Sequence, residues 1–209
     1  MKIYGTGTTS KCDKYQKGDL RMYTGNYECL ELFVKPDEGK KGSVLLKNVK
    51  ESTTETKEPK HIYGNWIKFP VSRNTEYEIS TQDCTITFAY LSECENIMEN
   101  GICVLDTTDN YKEMNKEEFL HFIDTPYREQ YHFSPVVNWN NDPNGLCWFK
   151  GYYHLFYQMN PFGQEWNNMY WGHAASKDLV HWTHLPVVLE PQEEILDNLA
   201  IKGGAFSGS

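Results

Sequence analysis

Short runs that alternate apolar and polar residues, each closed by a polar or Gly/Pro-containing stretch, constrain this chain more than any other feature. YECLELFV (27–34), SVLLKNV (43–49), NWIKFPV (65–71), TEYEIS (75–80) and CTITFAYL (84–91) carry partial period-2 alternation. That is the pattern of strands with one face toward a core and one toward water. PDEGKKG and ESTTETKEPK lie between such runs. Strands at this spacing predict a β-sandwich-like accessory domain over residues 1–112. Tyr63, Trp66 and Tyr90 are its candidate sugar-stacking faces, although an aromatic residue in a strand is more often core.

Residues 106–118 are polar, and Asn115 with Glu118 has the form of a helix N-cap with its reciprocal glutamate. FLHFI then supplies an apolar face and Pro126 stops the helix, so residues 113–126 are expected to be a linker helix at a domain boundary. Beyond it, LCWF (146–149) and YYHLFYQ (152–158) read as strands joined across Lys150-Gly151 in a two-residue hairpin. MYWGHAAS (169–176) and HWTHLP (181–186) follow, with a turn at Lys177-Asp178. Four adjacent short strands with tight connections form one propeller blade. No internal repeat is evident, and periodicity alone does not establish a propeller.

Twenty basic residues against twenty-nine acidic ones give a net charge of −9, which argues against nucleic acid or an anionic membrane as partner. No apolar run is long enough to span a bilayer. The N-terminal stretch has no apolar signal-peptide core, so a cytoplasmic location is expected. The six cysteines include no Cys-x-x-Cys pair, and no histidine joins one at a ligand spacing. Free thiols and no metal site are therefore expected.

One carboxylate stands out. Residues 138–145 read NWNNDPNG, with Asp142 among amides and beside a tryptophan. Taken alone, Asp-Pro-Asn-Gly reads as a turn. The surrounding motifs change that reading. WNNDPNG, YHLFYQMNPFG, WGHAASKDLVHW and the terminal FSGS occur in this order, and together residues 127–209 resemble the start of the catalytic domain of glycoside hydrolase family 32, the β-fructofuranosidases. The resemblance implies that 127–209 begin a five-bladed β-propeller, making the whole chain all-β. It implies hydrolysis of a terminal β-D-fructofuranoside with retention and no metal or organic cofactor. The partner is then a fructose-containing oligosaccharide or polysaccharide.

Residue by residue, the resemblance makes Asp142 the nucleophile that attacks the anomeric carbon of fructose. The residue types suit that task. Asp142 precedes proline, which biases its backbone toward extended conformations, and neighbouring amides are donors suited to an anion. Trp139, Asn140 and Asn141 match the stretch lining the fructose pocket, although many relatives carry Met where Asn140 stands. Gln158 matches a substrate hydrogen-bonding residue, and Phe206 and Ser207 match sugar contacts. Trp166 matches an aromatic pocket wall, with Asn167-Asn168 replacing the pair often found there. His173 and His184 read as structural, because this chemistry runs on carboxylates.

Two of the family's three carboxylates have no counterpart. Its stabilising aspartate lies in an Arg-Asp-Pro motif, and none of Arg21, Arg73 and Arg128 is followed by Asp-Pro. Its acid/base glutamate lies in a Glu-Cys motif; Glu28-Cys29 and Glu93-Cys94 have the letters but precede the nucleophile motif. The chain is thus expected to be an N-terminal fragment, cut within the propeller and inactive alone. The alternative is a non-catalytic fructan- or sugar-binding protein.

Overall fold

The period-2 runs become strands of two antiparallel sheets that face each other. The computed structural model describes residues 20–106, 112–113, 126, 128–129 and 131–191. Among these, one compact unit comprises 20–95 with 103–106 and 112–113, and a second comprises 96–102 with the described residues from 126 onward. The short segment Asn96–Ile102 therefore groups with the second unit. The described residues are almost entirely β, in agreement with the all-β expectation of a sandwich-like domain followed by the first part of a propeller.

In the first unit, β1 (Leu20–Tyr23), β6 (Glu76–Gln82), β3 (Ser43–Asn48) and β4 (Thr54–Lys57) form one sheet in that order. β5 (Asn65–Pro70), β2 (Cys29–Pro36), β7 (Cys84–Ser92), β8 (Cys103–Asp106) and β9 (Lys112–Glu113) form the other. Alternate residues of both sheets build one core: Leu30, Leu32 and Phe69 from one, Met22, Val44, Leu46 and Ile79 from the other. On the far side of the first sheet Glu78 bonds Arg21 and Lys47 on its two flanking strands, at 2.8 and 2.7 Å. Alternation therefore sorts apolar from charged, as the sequence predicts.

The second sheet departs from that rule, because its other face is buried as well. Trp66, Phe33 and Phe88 stack across three strands, with ring centroids 5.8 and 5.5 Å apart. Beside them lies Glu31, 3% exposed. It accepts hydrogen bonds from the Tyr90 hydroxyl (2.9 Å) and Ser92 Oγ (3.3 Å), with Lys68 Nζ at 3.7 Å. Burial raises the Glu31 carboxyl above its usual range, and Lys68 and the hydrogen bonds oppose that rise. Tyr90 is 0% exposed, and Lys68 Nζ sits 3.5 Å from the Trp66 ring centroid. Of the three candidate stacking faces, only Tyr63 is exposed.

The second unit holds a four-stranded antiparallel sheet in the order β10 (Trp139–Phe149), β11 (Tyr152–Asn160), β12 (Tyr170–Ser176) and β13 (Trp182–Leu189). This up-and-down order is that of a propeller blade. Lys150 and Gly151 both have positive φ (48° and 83°), as the two-residue hairpin requires. Gly172 is needed for packing: a Cβ there would stand 2.3 Å from Tyr157 Cζ, so the buried ring occupies the glycine's notch on the neighbouring strand. A one-turn helix, α1 (Ile97–Asn100), belongs to this unit and has no counterpart in the periodicity. Ile102 N donates to His184 O at 3.0 Å, so this segment adds a backbone bond along β13. β9 reaches Glu113; the rest of the expected 113–126 linker helix lies outside the described residues apart from Pro126.

Three of the blade's histidines, His154, His173 and His184, lie on its strands. His154 Nε2–H donates to Phe149 O (3.3 Å), which leaves Nδ1 to accept from His173 Nε2–H at 2.9 Å. The His173 ring also stacks on Phe156, centroids 4.4 Å apart. His184 is buried against Phe133. Burial, aided by His154, pulls His173 down to about 4. Burial, aided by Arg128, pulls His184 down to about 3. Between those values and the unfolded value near 6.5 the unfolded chain binds more protons, so stability is full above about pH 6.5 and declines as pH falls toward 3–4. Thermal unfolding should therefore show a melting temperature that drops from pH 7 to pH 4. His184→Leu should flatten that drop by on the order of 2 kcal/mol; an unchanged slope would show that His184 is already protonated in the fold.

Candidate active site

The tetrapeptide Asp142-Pro143-Asn144-Gly145 is not a turn: it lies inside β10. The strand runs eleven residues against nine in β11, and the two surplus residues are absorbed at two register shifts. Asn141 pairs with Gln158 and Pro143 with Tyr157, so Asp142 has no partner in the ladder. The second shift falls between Asn144 and Cys147, around Gly145 at φ 56°. A bulge of this kind breaks the ladder and re-aims a side chain. The signals that read as a turn are also those of an interrupted edge strand. Proline is tolerated there because its missing N–H faces no neighbour, and β10 is the edge of its sheet.

Asp142 is exposed, as are Asn140 and Asn141. Among the described residues its carboxylate makes no hydrogen bond and no ion pair, so the neighbouring amides do not hold it as the sequence reading anticipates. Gln158 is 3% exposed and stands in one cross-strand row with Asn141 and Trp171. Trp139, half-buried, opens the strand opposite Asn160. Trp166 is 52% exposed and lies on the 161–169 connection. Phe206 and Ser207 lie outside the described residues. The structure thus brings Trp139, Asn140, Asn141, Asp142 and Gln158 to one end of one strand pair. His173 and His184 lie within the sheet, on β12 and β13.

Residues that hold the Trp166 connection escape the sequence reading. Asn160 is buried; its Nδ2 donates to Glu165 O at 2.8 Å and its Oδ1 accepts from Phe162 N at 3.0 Å. Asn138, at φ 63°, donates from Nδ2 to Pro161 O at 2.9 Å. Trp139 N donates to Gly163 O at 3.2 Å. The loop is thus fastened from both strands that carry the candidate site. The signal was available in Asn160-Pro161-Phe162-Gly163, a cluster of turn formers in which an Asx side chain bonds nearby backbone.

Among the described residues no group of three or more His, Cys, Asp or Glu side chains is arranged to hold a metal ion. The chemistry this arrangement offers is that of an exposed carboxylate released from its ladder, on the strand pair that also carries the buried Gln158 amide and the Trp139 indole.

Part of the chain is similar to known proteins. Residues 132–209 match the family described as Glycosyl hydrolases family 32 N-terminal domain. The levanase of Bacillus subtilis is 56% identical over 88 residues, which cover 42% of this chain and 12% of the levanase. An extracellular exo-inulinase of Aspergillus niger is 64% identical over 66 residues, or 32% of this chain and 12% of that protein. The chain thus spans about an eighth of these curated relatives. A solved family 32 glycoside hydrolase from Bifidobacterium adolescentis matches 86% of this chain and 28% of its own, with a TM-score of 0.75 at 34% identity.

Replacing Asn160 with Ala removes both of its tethers, to Phe162 N–H and Glu165 C=O, at a cost of about 1–2 kcal/mol. Hydrogen exchange in Asn160→Ala is expected to accelerate across residues 161–166 while the β11–β12 ladder keeps its protection. Equal acceleration throughout the blade would show that Asn160 serves the whole sheet.

Proposed function

Because residues 132–209 belong to glycosyl hydrolase family 32, we propose that this chain carries the nucleophile end of a retaining β-fructofuranosidase that acts on terminal β-D-fructofuranosides. The observation that carries the reading is Asp142 standing outside the β10–β11 ladder, exposed, beside Gln158 and Asn141. A side chain committed to strand pairing is fixed by the pleat. One left over at a bulge is aimed by the backbone alone.

In this reading Asp142 attacks the anomeric carbon of a terminal fructosyl group. The bond to the leaving oxygen breaks, its electron pair stays on that oxygen, and a carboxylic acid protonates it. The deprotonated acid then takes a proton from water, which attacks the same carbon and releases Asp142. A retaining pair stands about 5–5.5 Å apart. Residues 1–209 contain neither the Arg-Asp-Pro nor the downstream Glu-Cys motif, so the polypeptide that supplies those carboxylates is assigned the activity and residues 1–209 alone are assigned none. Trp139, Asn140, Asn141 and Gln158 bind the fructosyl group, with Trp166, Phe206 and Ser207 completing the pocket. The relatives named levanase and exo-inulinase favour fructans, and sucrose shares the same terminal group.

The test is hydrolysis of sucrose, inulin and levan by the protein bearing this chain, beside Asp142→Asn. Loss of at least about 10⁴-fold in turnover with folding intact is the expected result. Fructosides bound without cleavage by the unsubstituted protein would replace the hydrolase by a sugar-binding protein.

A further inference from the structure

The blade carries a cleft at the end opposite Asp142. It has a volume of about 550 Å³ and is lined by α1 (Met98, Glu99), by Tyr152, and by Lys177, His181 and Thr183 around the β12–β13 turn. Tyr152 lies six residues before Gln158 on β11, about 20 Å away at strand rise. Its size falls within the range of small-molecule sites, roughly 300–1,000 Å³.

The polar groups here form an ordered frame with capacity to spare. Glu99 Oε1 accepts from the Tyr152 hydroxyl and from Lys177 Nζ (2.9 Å), which leaves Oε2 open. Lys177 Nζ, 5.0 Å from the Tyr152 centroid, has donors left over. Asp178 anchors the turn by accepting from Val180 N, His181 N and Ser176 Oγ, and its Oδ2 pairs with His181 Nδ1 at 2.6 Å. His181 is thereby oriented with Nε2 unengaged among the described residues, and the Thr183 hydroxyl is likewise unengaged. One open acceptor, several donors and the apolar Met98 side chain thus line one concavity. Acid and base alternate around it, so no single sign of charge prevails and neither an isolated anion nor an isolated cation is favoured.

We propose that this cleft is a second carbohydrate site, which takes a neutral oligosaccharide by hydrogen bonds to its hydroxyls and by contact with Met98. It is separate from the Asp142 pocket and does not depend on the reaction proposed there.

The experiment titrates the Asp142→Asn protein with inulin-derived, levan-derived and malto-pentasaccharides, following amide shifts. Perturbation of Tyr152, Lys177, His181 and Thr183 is expected, and it should weaken at least about ten-fold in Met98→Trp, which fills the cleft. Thr183→Val, which exchanges a hydroxyl for a methyl of the same shape, should weaken it without disturbing the fold. The ranking of the three sugars identifies the linkage bound. Silent cleft amides at millimolar sugar, identical binding by Met98→Trp, or preference for a hexose phosphate would each overturn the proposal. Because the readout is local to the cleft, failure of hydrolysis at Asp142 leaves the result interpretable.

Discussion

The mismatch between β10 and β11 is the constraint on which the rest of the blade turns. Eleven residues cannot pair one-to-one with nine. The chain resolves the conflict at two points, and one of them isolates Asp142. Everything around it keeps β11 rigid so that the irregularity is confined to β10. Tyr157 fills the space above Gly172, Phe133 packs on the same ring at 4.8 Å, and Asn160 fastens the connection that follows. Because interiors pack densely, a strand held on its buried face has little room to absorb distortion. The bulge therefore falls on the exposed edge strand.

Much of this was legible in the sequence, and the failures have physical causes. Period-2 alternation and turn signals located β2, β3, β5, β6, β7, the last third of β10 and the other three blade strands; the alternation is cleanest in β3, where every second residue is buried. Asp-Pro-Asn-Gly by itself misled for a simple reason. Proline and glycine report a backbone that leaves the regular ladder, and a turn and an edge-strand bulge both do so. Only register, a property of two strands, separates them. The same limit explains Tyr90 and Trp66. Local pattern marks a strand's faces but not whether a second face is buried, so residues that look like a stacking surface became part of a packed aromatic row beside Glu31.

The two units also handle buried charge differently. In the sandwich, Glu31 keeps a basic neighbour and three hydrogen-bonding side chains, so burial is compensated on the spot. In the blade, His173 and His184 are accommodated by remaining neutral. A paired carboxylate preserves polarity in an apolar setting; a neutral imidazole behaves as a flat, weakly polar ring that packs like its aromatic neighbours. His173 on Phe156 is an instance of that second use.

The two surplus residues of β10 distinguish one class of genetic change from another. Substitution within residues 139–149 alters a side chain and leaves the count intact. Deleting one residue beside Asp142 would close the ladder between Gln158 and Tyr157 and bring every remaining position there under the pleat. By ordinary standards the strand would be improved, with a fuller ladder and less strain, while the carboxylate would lose the separate aim that the bulge gives it. What this segment has to conserve through descent is its length as much as its letters, and its fitness rests on keeping an imperfection.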